Sequence, residues 1–195
     1  SQTQLFFDLC PAAITGITGT KGKGTTAALA ADILRRTAGD RIRLGGNIGL
    51  PPIGFLEHVS PGDQVILELS SFQLHDLGTS PHIAVVLAIG RDHLDYHADI
   101  AEYVDAKSSI CRFQDPQDRV VADLDNPAAQ SLARLSPAEK VSFSMTDEVP
   151  TGAWLAADTL WMRDGGDKLA LCRRSDLLLR GDHNLNNCLA AAATA

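Results

Sequence analysis

Gly19-Thr20-Lys21-Gly22-Lys23-Gly24-Thr25-Thr26 lies between an apolar run, Ala12 to Ile17, and an alanine- and leucine-rich run, Ala27 to Arg36. The first run has the composition of a buried strand and the second that of a helix. A glycine-rich turn in that setting gathers backbone N–H groups and the positive end of the helix about one point, which suits an anion. Lys23 has the length to reach the β- and γ-phosphates of a nucleotide, and Thr25 or Thr26 offers a hydroxyl to Mg²⁺.

The stretch departs from a strict P-loop, which has a glycine five positions before Gly22 and Ser or Thr directly after Lys23. Ile17 and Gly24 hold those places. A flexible Gly/Thr/Lys turn at a strand end would carry the same letters.

Further strand-length runs follow at Arg41–Leu44, Gln64–Leu69, Ile83–Ile89, Arg119–Leu124 and Val141–Met145, with weaker ones at Thr159–Met162 and Lys168–Cys172. Val65-Ile66-Leu67 and Val85-Val86-Leu87 are continuously apolar, as strands buried on both faces are. The expected fold is therefore α/β: a mostly parallel sheet between helical layers, P-loop NTPase-like, with a small antiparallel extension after about residue 140. Ligands of such sheets sit beyond the carboxyl ends of the strands. Gly19–Thr26, Gly45-Gly46-Asn47, Glu68-Leu69-Ser70-Ser71 and Asp92-His93 each follow or end one of the first four strands.

At 195 residues and 45% hydrophobic content, the chain has room for one full core. A net charge of -7 disfavours nucleic acid as a general partner. No apolar run reaches membrane-spanning length. Cys10, Cys111, Cys172 and Cys188 lack paired spacing, which suggests buried thiols in a reducing cytoplasm. The beginning at Ser1 and the end inside an apparent helix suggest a middle domain cut from a longer protein, spanning 1–195.

Five residues stand out. Lys107 lies on the apolar stripe of a helix expected over Ile100 to Phe113, with Ile100, Tyr103, Val104, Ile110 and Cys111. It either snorkels its ammonium to solvent or points into the polar site beside His93; there a carbamate formed with CO₂ would offer Mg²⁺ the oxygens that an ammonium cannot. Glu68 ends an otherwise buried strand and needs a partner, either a metal or a salt bridge at the sheet edge. His93, in Asp92-His93-Leu94-Asp95-Tyr96-His97, belongs to a solvated loop or to a metal cluster, although no ligand set for zinc is evident. His58, His75 and His82 have no polar company. Asn184 and Asn187 open a helix after Gly181, where Asn184 suits an N-cap and is also free to touch a nucleotide.

From Pro11 to Ala195 these residues together resemble the central ATPase domain of the Mur ligases, ATP-dependent amide-forming enzymes of peptidoglycan synthesis. Glu68-Leu69-Ser70-Ser71-Phe72-Gln73-Leu74 and Gly45-Gly46-Asn47-Ile48-Gly49 are similar to the members that add D-glutamate to UDP-N-acetylmuramoyl-L-alanine. The resemblance implies a cytoplasmic enzyme with flanking UDP-binding and amino-acid-binding domains, using ATP and Mg²⁺ through an acyl-phosphate intermediate. It implies that Lys23 and the loop Gly19, Thr20, Lys21, Gly22, Gly24, Thr25 and Thr26 bind the ATP phosphates. By the same token Thr25 and Glu68 hold a first Mg²⁺, and His93 with a carbamylated Lys107 holds a second. Asn47, Ser70 and Ser71 would face the muramoyl substrate, and Asn184 and Asn187 the adenine. Gly24, Ala88 and Tyr96 depart from the family's usual Ser/Thr, Asn and Arg. The first is reminiscent of folylpolyglutamate synthetases and moves the metal hydroxyl to Thr25. A folylpolyglutamate-type ligase and a non-catalytic nucleotide-binding module are the two alternative functions.

Overall fold

The structure, a computed structural model, describes residues 1–47, 50–90 and 100–195, with only the backbone for 100–104. The described residues form one nine-stranded sheet. Its strands are β1 (Ala13–Thr18), β2 (Ile42–Gly46), β3 (Gln64–Glu68), β4 (Ile83–Val86), β5 (Arg119–Asp123), β6 (Glu139–Ser144), β7 (Gly152–Ala156), β8 (Thr159–Arg163) and β9 (Leu169–Arg173). The spatial order is β2-β3-β1-β4-β5-β6-β7-β8-β9. Pairing is parallel from β2 through β7 and antiparallel from β7 to β9.

The helices are α1 (Gln2–Leu9), α2 (Lys23–Ala38), α3 (Ser71–His75), α4 (Ile100–Arg112), α5 (Pro127–Ala133) and α6 (Asp182–Thr194). They sort onto the two faces as the alternation of buried strand residues requires. On one face Val65, Leu67, Val86 and Val120 pack with Ile110 and Cys111 of α4 and Leu132 of α5. On the other, Ile17, Ile66, Val85 and Val121 pack with Ala27, Ala30 and Ala31 of α2 and Leu185 and Leu189 of α6. Small residues on α2 let it lie close to the sheet and to α6, and this brings the loop before α2 against the start of α6.

Three expectations change. The antiparallel extension begins at β7 rather than near residue 140, because β6 and β7 are still parallel partners. Parallel neighbours usually need a long crossover. Here only Ser142 to Ser144 pair with Gly152 to Trp154, so the chain has little distance to retrace. Gly152 permits the approach: its φ is 119°, and a Cβ there would lie 1.8 Å from the Ser142 carbonyl oxygen. The fourth strand ends at Val86 instead of Ile89, although the Leu87 N–H still donates to the Thr18 carbonyl at 2.9 Å and the Ala88 carbonyl accepts from the Thr20 N–H at 3.0 Å. The thiols are not uniformly buried: Cys111 is, and burial pushes it up to about 12, whereas Cys10, Cys172 and Cys188 are half-buried. No helix among the described residues is long and apolar enough to cross a membrane.

Candidate functional site

Register places the polar clusters side by side. Ile17 and Gly46 both lie opposite Glu68, and Thr18 lies opposite Val86, so the carboxyl ends of β1, β2, β3 and β4 form one edge. Gly46 has a φ of 109°, and a Cβ there would meet the Glu68 carbonyl oxygen at 2.2 Å. The close approach lets the Asn47 N–H donate to that carbonyl at 3.0 Å.

The glycine-rich loop leaves β1 and enters α2 directly, so its last residues form the first turn of the helix. Gly22 is the N-cap in the left-handed region, with φ of 84°, and no side chain caps the helix. The first N–H groups of α2 are thus left for an anion. Lys23 folds back and donates to the carbonyls of Gly19 and Thr20, each at 3.2 Å. The two candidate hydroxyls separate. Thr25 faces the cleft, whereas Thr26 is fully buried and donates to Asn187 Oδ1 at 3.4 Å.

Lys107 lies beneath the same loop and does not snorkel. It is 1% exposed, and its Nζ donates to Thr18 Oγ1 at 3.2 Å and to the Gly19 carbonyl at 3.4 Å. Burial, helped by the nearby Lys23 charge, lowers its pKa to about 7, so near neutrality a large share of the amine is uncharged. Thr18, which the sequence did not single out, fixes this arrangement by donating to the Leu69 carbonyl at 3.1 Å while accepting from Lys107.

Glu68 is 6% exposed, and its Oε2 has no hydrogen-bond partner among the described residues. A buried carboxylate oxygen without a donor is costly. The salt bridge considered for it at the sheet edge is not formed within the described residues, and the anomaly remains for a ligand to resolve. A hard cation would do so. No three His, Cys, Asp or Glu side chains converge among the described residues.

Beside the loop lies a cleft of about 470 Å³, lined by Thr20, Lys21, Gly22 and Thr25, by Leu87, Ala88 and Gly90, and by four residues of α6. Asn184 and Asn187 are among the four, with His183 and Asn186, which sequence reasoning passed over. Asn184 does not cap α6, for Gly181 holds that place without a side chain. Thr20 ties the far wall by accepting from the Gly90 N–H at 2.9 Å.

The substrate candidates Asn47, Ser70 and Ser71 do not line this cleft; they lie at the β2–β3 side of the loop. Ser70 has a structural task as N-cap of α3, forming a capping box with Gln73. Ser71 is buried and Asn47 exposed. His82 is not without polar company: its Nδ1 accepts from the Ile14 N–H at 3.1 Å. His93 and its neighbours Asp92 to His97, together with Ile48 and Gly49, lie outside the described residues, as do the side chains of Ile100, Tyr103 and Val104.

The Mur ligase middle domain model matches residues 17–195. The UDP-N-acetylmuramoylalanine--D-glutamate ligase of Acetivibrio thermocellus is 42% identical over 193 residues, covering 99% of this chain and 41% of that protein. The enzyme of the same name from Symbiobacterium thermophilum is 42% identical over 192 residues, covering 97% of this chain and 42% of its own length. The chain thus spans about two fifths of the curated relatives it matches. Among solved structures, MurF from Acinetobacter baumannii aligns with a TM-score of 0.71 at 19% identity, over 99% of this chain and 43% of that one. MurF ligase from Thermotoga maritima, in complex with ADP, aligns with a TM-score of 0.65 at 16% identity, over 97% and 46%. With the family's model covering all but the first strand's beginning and the helix before it, and with the fold agreeing, this chain belongs to the Mur ligase middle-domain family.

Proposed function

We propose that this chain is the nucleotide-binding middle domain of a longer cytoplasmic ligase, with UDP-binding and amino-acid-binding domains in the same polypeptide. The ligase joins D-glutamate to UDP-N-acetylmuramoyl-L-alanine at the expense of ATP. The observation that carries this reading is the convergence, at one sheet edge, of an uncapped helix start with Lys23, the unpartnered Glu68 Oε2 and the buried Lys107. The identity of 42% to enzymes of that name supports the choice of substrate.

In this reading the loop N–H groups and the Lys23 ammonium hold the ATP phosphates, Lys23 exchanging the Gly19 and Thr20 carbonyls for phosphate oxygens. The alanyl carboxylate oxygen forms a bond to the γ-phosphorus, and the bond from that phosphorus to ADP breaks. The amine of D-glutamate then adds to the acyl carbon, a proton leaves the nitrogen, and inorganic phosphate departs. Thr25 and Glu68 would hold one Mg²⁺, and His93 with a carbamate on Lys107 a second. Bound there, Mg²⁺ supplies charge neutralisation on the crowded anionic oxygens. Asn47, Ser70 and Ser71 face the muramoyl substrate, and α6 faces the nucleoside.

The parent enzyme is expected to release phosphate from ATP only when UDP-N-acetylmuramoyl-L-alanine and D-glutamate are both present, while the isolated chain binds nucleotide and makes no amide bond. Release driven by a folate and glutamate instead would favour the folylpolyglutamate-type reading, to which Lys23-Gly24 points. Absence of any substrate-dependent release would leave a binding module.

Glu68 gives a test that does not need turnover. With Mg²⁺ and ADP at about a hundred times the dissociation constant, the chain's melting midpoint is expected to rise by about 5–10 °C. Glu68→Gln should keep the melting point without ligand, because an amide is cheaper to bury than an unpaired carboxylate. It should lose the part of the shift that depends on Mg²⁺. An unchanged Mg²⁺ dependence in Glu68→Gln would remove Glu68 from the metal site.

A further inference from the structure

Thr18 ends β1 directly before the phosphate loop and is completely buried. Its hydroxyl carries one proton, and that proton is committed: Oγ1 donates to the Leu69 carbonyl at 3.1 Å. Toward the Lys107 Nζ, 3.2 Å away, Oγ1 can therefore only accept. A second partner of the same amine, the Gly19 carbonyl at 3.4 Å, is an acceptor by nature. Both contacts draw N–H groups, and neither offers a proton to the nitrogen. The lone pair of the uncharged amine thus lies on the side away from Thr18 and Gly19.

The two acceptors are not equivalent. Before nucleotide arrives, the Gly19 carbonyl also receives Lys23 at 3.2 Å, so it keeps a donor if Lys107 lets go. Among the described residues Thr18 Oγ1 accepts from Lys107 alone. Addition of CO₂ makes this difference matter. Nitrogen bonds to carbon, one C–O π pair moves onto oxygen, and one proton passes from nitrogen to water. The carbamate nitrogen keeps a single N–H and is planar, as an amide nitrogen is. Whichever acceptor holds that N–H fixes the plane in which the carbamate oxygens lie.

We infer that Thr18 is the positioning residue for the reaction of Lys107 with CO₂, first aiming the amine's lone pair and then holding the carbamate N–H. The inference rests on the carbamate proposed above for Lys107 and adds the residue that orients it. The Leu69 carbonyl that fixes the Thr18 hydroxyl follows Glu68 in the chain, so the same hydroxyl ties Lys107 to the end of β3.

Nuclear magnetic resonance of the nucleotide-free chain titrated with ¹³C-bicarbonate, in the presence of Mg²⁺, tests this. The unaltered chain is expected to show a carbamate resonance that Lys107→Arg lacks. Thr18→Val keeps the shape without the hydroxyl, and its carbamate should form with at least about fivefold weaker affinity for CO₂, the effect of one hydrogen bond. Thr18→Ser returns the hydroxyl and should come within about twofold of the unaltered chain. In the parent ligase Thr18→Val should lose kcat more than affinity for ATP. A rise of about tenfold in dissolved CO₂ should then return part of the loss by mass action, which a merely structural threonine would not allow. Equal carbamate formation in Thr18→Val, failure of Thr18→Ser to restore it, or absence of recovery with CO₂ overturns the inference and leaves the carbamate reading intact. Absence of the resonance from the unaltered chain would instead bring down the carbamate reading, and the inference with it. Should Thr18→Val not fold, as judged by circular dichroism, the unaltered chain decides: its Thr18 methyl resonance should move as bicarbonate is added and stay still in Lys107→Arg. A methyl resonance indifferent to CO₂ overturns the proposal.

Discussion

Replacing Lys23 with alanine is expected to lower kcat of the parent ligase by at least about two to three powers of ten, as loss of one preorganised charge in a water-poor site commonly does. The fold should survive, because Lys23 starts α2 at its exposed end and contributes only two bonds to loop carbonyls. Those bonds also say what the side chain does before nucleotide arrives: it holds the Gly19 and Thr20 carbonyls inward. The alanine variant should therefore lose affinity for ATP and ADP far more than for adenosine, which has no phosphate for the loop to hold. Near-normal ATP-dependent turnover in Lys23→Ala would remove the phosphate-cradle reading altogether.

How far the sequence carries the argument depends on whether a feature is local. The unit β1, loop and α2 is legible because run, glycines and alanine-rich helix are contiguous and agree with one another. Lys107 is legible for the same reason, as one charge among apolar neighbours at helical spacing. The short helices are less so. α3 has five residues and depends on the Ser70–Gln73 capping box, while α1 rests on tertiary contact, Phe6 meeting Phe55 edge-on at 5.6 Å. The parallel pairing of β7 depends on Ser142 and Gly152 meeting across the chain. The site divides the same way. Gly19–Thr26 and Glu68 could be read directly, but the Asn186 amide is set by Asp123, 63 positions earlier, and Thr18 gains meaning only when Lys107 arrives from 89 positions later. Partners that distant leave no pattern in a single sequence.

Lys107 offers the largest contrast between two variants at one position. Its amine is buried under the phosphate loop, bonded to Thr18 Oγ1 and the Gly19 carbonyl, with its pKa lowered to about 7. The unfolded chain holds this proton up to the ordinary lysine range, so between about pH 7 and 10.5 the folded form binds fewer protons than the unfolded one. Stability therefore rises with pH across that window, and the full cost of burying the ammonium is felt below pH 7. The uncharged amine is also the form that adds to CO₂: nitrogen bonds to carbon, one proton is released, and the site's charge changes from positive to negative. A carbamate would turn a group that repels Mg²⁺ into one that attracts it. Lys107→Ala in the parent ligase should accordingly lose most activity, and short carboxylic acids added to the assay should restore part of it by supplying oxygen donors. Lys107→Arg keeps a positive charge and cannot form a carbamate, so it should be as inactive as the alanine variant. If the lysine serves only as a cation that ties down the loop, arginine, which keeps the charge, should retain clearly more activity than alanine, and acids should rescue nothing. An active Lys107→Arg enzyme would end the carbamate reading and the second metal site that depends on it.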